Sequence, residues 1–178
     1  AIIGDGALTG GEAYEGLNSA GASGRRLVVI LNDNEMSIDK NVGALSEYLS
    51  RIKLAPQYAK AKKDIEGFLR NIPRIGETVF KTAECLKDGV KAAISSGSWF
   101  EELGFNYIGP LDGHNIQAMQ DVFRQLPQVE GPVLVHVLTH KGKGYLPAEE
   151  NPNKSHGISR FNKANGQVIK KQDAPPSY

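Results

Sequence analysis

The chain has 178 residues, a formal net charge of +1 and 40% hydrophobic residues, enough for one core domain. The near-neutral charge gives no reason to expect a nucleic acid as ligand, and no apolar run approaches the ~20 residues that span a bilayer. A single cysteine, Cys85, excludes an internal disulfide and fits a reducing compartment.

The first predicted elements alternate between strand and helix. Residues 1–3 predict the end of a buried strand, and the apolar run at 27–31 predicts the next strand of a parallel sheet. Between them, apolar residues at helical spacing predict a helix over about 10–20. A strand, a helix and a second strand in this order favour a parallel α/β unit.

The ends of this first helix also have sequence signals. Thr9 and Glu12 have the spacing of a capping box, and Gly21 is a stop signal. A Walker phosphate loop is excluded because Gly11 is followed by Glu12 and not by Lys. A dinucleotide fingerprint is excluded because Thr9 occupies the position of its third glycine.

Polar residues follow both of the predicted strands. Asp5 lies between Gly4 and Gly6 after the first strand, and Asn34 comes shortly after the second. Ligands of open parallel sheets bind at the carboxyl ends of strands, and carboxylate and amide oxygens suit Mg²⁺. We therefore predict a site for Mg²⁺ and a diphosphate. The alternatives are an Asp5 that caps a helix and an Asn34 that forms a turn.

The middle of the chain differs in character. Residues 32–41 predict a polar loop, and 44–52 predict a short amphipathic helix. Residues 53–97 contain more Lys and Arg than Asp and Glu, and we predict a helical insertion there, with helices near 57–70 and 74–94. This insertion is either a mobile lid over the sheet edge or a plain solvated helical excursion.

The sheet pattern resumes after the insertion. Residues 106–108 and 132–139 predict strands, with a helix over 116–126 between them. This alternation predicts an α/β fold with a doubly wound, mainly parallel sheet. Residues 1–150 form a partial diphosphate-binding domain in this interpretation, and the Pro-, Asn- and Lys-rich residues 151–178 form an extended tail or linker.

Several blocks of the sequence together resemble one enzyme family. Gly4-Asp5-Gly6 with a downstream Asn34 is similar to the thiamine diphosphate signature. The blocks are Gly4–Gly11, Ile30–Ile38, Asn41–Leu45, Phe100–Pro110, Asp112–His114 and Lys141–Tyr145. They resemble 1-deoxy-D-xylulose-5-phosphate synthases, which are relatives of transketolase. The resemblance implies an incomplete thiamine diphosphate-binding, transketolase-like domain.

The resemblance also implies the cofactors and their ligands. Thiamine diphosphate and Mg²⁺ would bind here, with Asp5, Asn34 and the main-chain carbonyl of Met36 as metal ligands. Gly6 and Ala7 would offer main-chain contacts to the diphosphate.

Further residues have competing interpretations. Tyr145 resembles the family tyrosine that contacts the cofactor, but a packing tyrosine fits the sequence equally well. His156 matches a catalytic histidine that the family places beside the substrate, where histidine suits proton transfer near neutrality. Asp33 is interpreted as structural, and His136 as a hydrogen-bonded core residue.

The implied reaction is a transfer. A synthase of this family decarboxylates pyruvate and joins the two-carbon unit to D-glyceraldehyde 3-phosphate. The product, 1-deoxy-D-xylulose 5-phosphate, feeds the methylerythritol phosphate route to isoprenoids and thiamine biosynthesis. The family implies a homodimer in the cytoplasm, or in the plastid of a plant or alga, with neither nucleic acid nor membrane as partner.

The sequence lacks one part of that chemistry. In the family, the glutamate that activates the cofactor's pyrimidine ring belongs to a further domain, which would begin after Tyr178. We therefore expect the chain by itself to be inactive. The alternatives are one chain of a split transketolase-like enzyme, or a non-catalytic remnant that binds no cofactor.

Overall fold

The computed structural model of the chain describes residues 1–54 and 98–169. Within them, one sheet contains the strands β1 (Ile2–Gly4), β2 (Val28–Asp33), β3 (Asn106–Asp112) and β4 (Val133–Leu138). All of its pairings are parallel, in the order β1-β2-β4-β3. The predicted parallel sheet is confirmed.

Helices connect these strands. They are α1 (Asp5–Leu8), α2 (Gly11–Ser23), α3 (Ala44–Leu54), α4 (Ser98–Glu102) and α5 (Ile116–Gln125), and a 3₁₀ turn (Leu126–Gln128) follows α5. The helix predicted over 44–52 is confirmed by α3. The short helix α1 was not predicted, because its glycine-rich sequence has a low helix propensity.

Helices cover both faces of the sheet. Leu17 of α2 and Leu49 of α3 pack in one apolar layer with Leu31 of β2. Phe123 of α5 packs in the other layer, with Val135 of β4. Successive side chains of a strand point to opposite faces, so each central strand contributes to both layers. The doubly wound arrangement is therefore confirmed.

The predicted capping box at the start of α2 is wrong. The N-cap is Gly10, and no side chain accepts a hydrogen bond there. The hydroxyl of Thr9 instead donates to the carbonyl of Gly6, at 2.7 Å. Thr9 thus closes the preceding turn and does not cap α2.

The predicted stop at Gly21 is also wrong. Helix α2 continues to Ser23 and ends at Gly24, whose φ of 60° is left-handed. Gly21 has a packing role instead, because a Cβ at this position would lie 1.7 Å from the carbonyl oxygen of Leu103. The absence of a side chain lets α2 approach the turn before β3.

Two strands are longer than their apolar patterns predict. Strand β2 was expected over 27–31 but continues to Asp33, whose carboxylate has partners inside the fold. Strand β3 was expected over 106–108 but continues to Asp112 past an irregularity between Ile108 and Leu111. A pattern of apolar residues does not predict strand ends that are polar or irregular.

Some predicted features lie outside the described residues. They are the helices near 57–70 and 74–94, which make up most of the predicted insertion, and the last part of the tail, 170–178. Among the residues that the structure describes, no helix is long and apolar enough to cross a membrane.

The chain divides into two compact units, Ala1–Thr139 and His140–Tyr178. The described part of the second unit contains helices α6 (Leu146–Glu150) and α7 (Pro152–Ser155). An antiparallel bridge joins Phe161 to Val168. Part of the segment predicted as a linker therefore has local structure of its own.

Candidate functional site

Asp5 and Asn34 lie at the carboxyl ends of neighbouring strands. Gly4 at the end of β1 pairs with Asn32 of β2, so Asp5 is next to the end of β2. The main-chain N–H of Asn34 is close enough to the Asp5 carboxylate to lower its pKa. The structure thus brings together the two residues that the sequence singled out.

Asp5 is buried, with 5% of its surface exposed. One of its oxygens, Oδ2, accepts a hydrogen bond of 2.8 Å from the side-chain amide of Asn41. Burial raises the pKa of Asp5, and the neighbouring Asp33 carboxylate raises it further, although the hydrogen bonds from Asn34, Asn41 and Gly6 partly offset both effects. A nearby cation would stabilise the ionised form of this buried carboxylate.

Asp33, at the end of β2, has ample compensation for its charge. Its Oδ1 accepts hydrogen bonds from the Lys53 ammonium at 2.9 Å and from the Glu35 N–H at 3.2 Å. Its Oδ2 lies 2.9 Å from Nε2 of His136. Burial alone would raise the pKa of Asp33, but hydrogen bonds from His136 and Lys53 lower it to about 2.

A buried chain of polar groups continues behind Asp33. His136 of β4 is fully buried, and its Nδ1 lies 2.7 Å from the hydroxyl of Tyr107 on β3. Burial raises the pKa of Tyr107 well above its ordinary value, which keeps the phenol protonated. The interpretation of His136 as a hydrogen-bonded core residue is confirmed, and the partners of Asp33 favour its interpretation as structural.

The loop from Asn34 to Gly43 folds back over the start of α1. The Asn34 side-chain oxygen accepts the Met36 N–H at 3.1 Å, and Met36 forms an antiparallel bridge with Lys40. A Cβ on Gly6 would lie 2.7 Å from Cβ of Ser37 in this loop. Gly6 therefore allows the loop to lie directly against the turn after β1.

Glu35 has an unusual conformation within this loop. Its φ is 63°, in the left-handed region that residues with a side chain seldom adopt. Its carboxylate accepts a hydrogen bond of 2.9 Å from Lys53, and its main-chain carbonyl accepts the Asn41 N–H at 3.0 Å. These contacts hold the turn that follows Asn34.

The side chains around this point form a small cleft. It is lined by Asp5, Thr9, Asp33, Glu35, Asn41, Ser46, Leu49 and Lys53. Within 1–54 and 98–169, no group of three or more His, Cys, Asp and Glu residues could hold a metal ion. A cation here would need amide, main-chain and external oxygens beside Asp5, which is the coordination that Mg²⁺ accepts with phosphates and water.

The available oxygens fit such an ion. Among the described residues that line the cleft, Asp5 is the acidic side chain with no ion pair, whereas Asp33 and Glu35 both pair with Lys53. The Asn34 side-chain oxygen accepts one hydrogen bond and has a second lone pair. Asp5, Asn34 and the carbonyl of Met36 are therefore chemically suitable Mg²⁺ ligands.

Sequence reasoning missed Lys53 as part of this cleft. Its side chain reaches Asp33 and Glu35 from α3, within the segment that was assigned to the insertion. The alternation of Val29, Leu31 and Asp33 along β2 was the available signal, because it places Asp33 on the face that α3 covers.

Tyr145 and His156 belong to the second unit. The Tyr145 hydroxyl donates to the carbonyl of Lys163 at 2.9 Å, and its ring centroid lies 6.0 Å from that of Phe161. His156 is exposed at the end of α7, and its main-chain N–H donates to the carbonyl of Asn153 at 3.2 Å. Tyr145 has packing partners, and the His156 side chain is accessible to solvent.

A doubly wound parallel sheet defines an α/β protein, and the polar cleft lies at the ends of adjacent strands, where such sheets usually bind ligands. Residues 1–139 match the family model described as 1-deoxy-D-xylulose-5-phosphate synthase. The chain belongs to this family, as its sequence blocks indicated.

Curated relatives agree with the family. The 1-deoxy-D-xylulose-5-phosphate synthase of Desulforudis audaxviator is 59% identical over 94% of this chain and 26% of its own length. The synthase of Halothermothrix orenii is 56% identical over 97% of this chain and 27% of its own. That of Desulfitobacterium hafniense is 52% identical over 100% and 28%. The chain thus spans about a quarter of the relatives it matches.

Proposed function

We propose that this chain binds Mg²⁺ and the diphosphate of thiamine diphosphate for a 1-deoxy-D-xylulose-5-phosphate synthase. The observation that supports this most is the buried Asp5 carboxylate, which has a raised pKa and lies beside Asn34. Lys53 already pairs with Asp33 and Glu35, so among the described residues of the cleft Asp5 is the carboxylate that remains for a divalent cation. Membership of the synthase family supports thiamine diphosphate as the cofactor.

Each proposed ligand has a distinct part. The Asp5 carboxylate, the Asn34 side-chain oxygen and the Met36 carbonyl would hold Mg²⁺ by hard oxygen donors. Main-chain groups of Gly6 and Ala7 would contact the diphosphate at the same edge of the sheet. Fixing the diphosphate in this way orients the rest of the cofactor and lowers the entropic cost of the reaction.

The reaction would be the decarboxylation of pyruvate and the transfer of its two-carbon unit to D-glyceraldehyde 3-phosphate. Thiamine diphosphate supplies the nucleophilic carbon and the electron sink when it is bound. Tyr145 would contact the cofactor, and the accessible imidazole of His156 would exchange a proton with the substrate. These two roles rest on the family resemblance and not on contacts within the chain.

The rest of the enzyme follows from the same proposal. The pyrimidine-activating glutamate would come from the regions of the relatives that this chain does not span. The enzyme would be a homodimer in the cytoplasm, or in a plastid in a photosynthetic eukaryote. Its product would serve isoprenoid precursor and thiamine biosynthesis.

Calorimetric titration with Mg²⁺ and thiamine diphosphate tests the proposal. We expect binding by the unchanged protein and none by Asp5→Ala. Asp121→Ala is the matched control, because Asp121 lies on α5 and pairs with Arg124. The titration is made on this chain and on the chain extended by the rest of its synthase. Equal affinity of the extended protein with and without Asp5→Ala contradicts the proposal.

A further inference from the structure

The ammonium group of Lys53 bridges two acidic residues on either side of Asn34. It lies 2.9 Å from Oδ1 of Asp33 and 2.9 Å from Oε1 of Glu35. Lys53 belongs to α3, which begins directly after the loop that starts at Asn34. The two ion pairs therefore connect the helix after the loop to the residues at the start of the loop.

The two contacts differ in strength. The side chains of Lys53 and Asp33 are 16% and 1% exposed, whereas that of Glu35 is 60% exposed. An exposed ion pair contributes little, so the bond to Asp33 is the main anchor. His136 holds the other oxygen of Asp33, so the carboxylate offers Lys53 a fixed partner.

The same Asp33 oxygen also accepts the Glu35 N–H. Because Lys53 orients this oxygen, it also affects the backbone of Glu35. The left-handed φ of Glu35 in turn sets the direction of the chain toward Met36. The Met36 N–H in turn donates to the side chain of Asn34. A continuous path of contacts runs from Lys53 to two of the proposed Mg²⁺ ligands.

We propose that Lys53 is a positioning residue that holds the loop of Asn34 and Met36 in the conformation that binds Mg²⁺. The inference rests on the proposed function, because it assumes that these two residues are ligands. Lys53 itself would not touch the ion. Its contribution resembles that of outer-shell groups at metal sites, whose loss typically costs ~10–100-fold in affinity.

A positioning role for Lys53 and a purely electrostatic effect of its charge predict opposite changes in Mg²⁺ affinity when Lys53 is replaced. Removing a positive charge near a cation site strengthens cation binding if nothing else changes. Loss of positioning weakens it. Lys53→Met therefore distinguishes the two effects by the direction of the change in the Mg²⁺ dissociation constant. Arg51→Met is the control, because Arg51 is exposed on the same helix and loses the same charge.

The test combines two measurements on the unchanged protein, Lys53→Met, Lys53→Arg and Arg51→Met. Hydrogen exchange without metal reports order in the loop, and we expect faster exchange at the Glu35 and Met36 amides only in Lys53→Met. Titration with Mg²⁺ is expected to give an affinity about tenfold weaker for Lys53→Met, with Lys53→Arg near the unchanged value.

The outcomes separate the two proposals. Unchanged exchange at Glu35 and Met36, or tighter Mg²⁺ binding by Lys53→Met, overturns the role of Lys53. An unchanged protein that binds no Mg²⁺, even when extended by the rest of its synthase, contradicts the proposed function. In that case the exchange measurement still decides whether Lys53 orders the loop. Circular dichroism of each variant shows that it is folded.

Discussion

Asp5 and Asp33 line the same cleft, yet their pKa values shift in opposite directions. Asp33 has hydrogen bonds from Lys53 and His136, whereas the partners of Asp5 within the described part of the chain are the uncharged Asn34, Asn41 and Gly6. Lys53 already pairs with Asp33 and Glu35, so a bound metal ion would neutralise Asp5 instead. The ionised Asp5 that would bind the metal therefore lowers the stability of the metal-free fold.

Replacing Asp5 by Asn tests this effect on stability. A carboxyl group with a raised pKa in the folded state favours folding below its ordinary pKa of 3.8 and loses this effect as pH rises through the folded value. At neutral pH the ionised Asp5 is therefore unfavourable without metal. We expect Asp5→Asn to raise the thermal unfolding midpoint of the metal-free protein and to abolish the stabilisation by Mg²⁺. A lower midpoint, or a retained response to Mg²⁺, contradicts this.

Asp33 has the opposite pH dependence. Its folded pKa of about 2 is below the ordinary 3.8, so its stabilisation is present above 3.8 and is lost as pH falls through about 2. The corresponding loss is about 2 kcal/mol in the free energy of unfolding. Titration of the Asp33 carboxyl carbon by NMR checks the pKa, and a midpoint at or above 3.8 would be inconsistent with the buried ion pair.

The sequence predicts some of these residues and not others. Asp5 and Asn34 are recognisable because each follows an apolar strand and Asp5 is flanked by glycines. The alternation along β2 indicates that Asp33 faces α3, but it does not choose between Lys53 and Arg51 as its partner. The phase of α3 alone decides that Lys53 and not Arg51 faces Asp33.

At the scale of elements, close backbone contacts at glycine residues determine the positions of helices α1 and α2. Helix α2 touches the turn before β3 at Gly21, where a Cβ would lie 1.7 Å from the Leu103 carbonyl oxygen. No pattern of apolar residues identifies such a contact, and for this reason the sequence suggested a helix stop instead. The ends of α2 are set by such contacts and not by its apolar pattern.

Gly21→Ala should therefore separate α2 from the Leu103 turn. Overpacking usually lowers the free energy of unfolding by ~1–3 kcal/mol, and we expect Gly21→Ala to lower it by at least the upper end of this range, measured by denaturant unfolding. Gly16→Ala in the same helix is the control, because a Cβ there has nothing within 4 Å. In the control, the higher helix propensity of Ala should raise the free energy of unfolding by up to about 1 kcal/mol. Equal effects of the two substitutions would refute the packing role of Gly21.

Gly6→Ala concerns the contact between α1 and the loop after β2. A methyl group at Gly6 would lie 2.7 Å from Cβ of Ser37 and 3.1 Å from Oδ1 of Asn41, so the loop must move. We expect a weaker Mg²⁺ affinity by calorimetry, since Asn41 also donates to Asp5. Gly11→Ala, with nothing within 4 Å of the added Cβ, should leave the affinity unchanged. Unchanged affinity in Gly6→Ala would show that the loop does not depend on this contact.

At the scale of the molecule, the apolar pattern predicts the fold class because buried parallel strands need helices on both faces. It does not predict the strand order, in which β4 lies between β2 and β3. That order depends on long-range pairings such as Ile30 with Val135, whose apolar side chains would fit several registers. Fold class follows from composition and period, and topology from contacts that are distant in sequence.

The size of the chain leads to a prediction about activity. It spans 26–28% of its curated relatives, and the pyrimidine-activating glutamate is expected in the regions it does not span. We expect the purified chain to form no 1-deoxy-D-xylulose 5-phosphate from pyruvate and D-glyceraldehyde 3-phosphate, as followed by mass spectrometry. Product formation that depends on Asp5 would show that the chain is sufficient for catalysis.

Crystals grown with Mn²⁺ in place of Mg²⁺, together with thiamine diphosphate, test the central claim most directly. The protein is the chain extended by the rest of its synthase, and anomalous diffraction locates the ion. We predict one peak bound by the Asp5 carboxylate, the Asn34 side-chain oxygen and the Met36 carbonyl, at distances near the ~2.1 Å of Mg²⁺ coordination. An ion held by the diphosphate but remote from Asp5 and Asn34 would contradict the account.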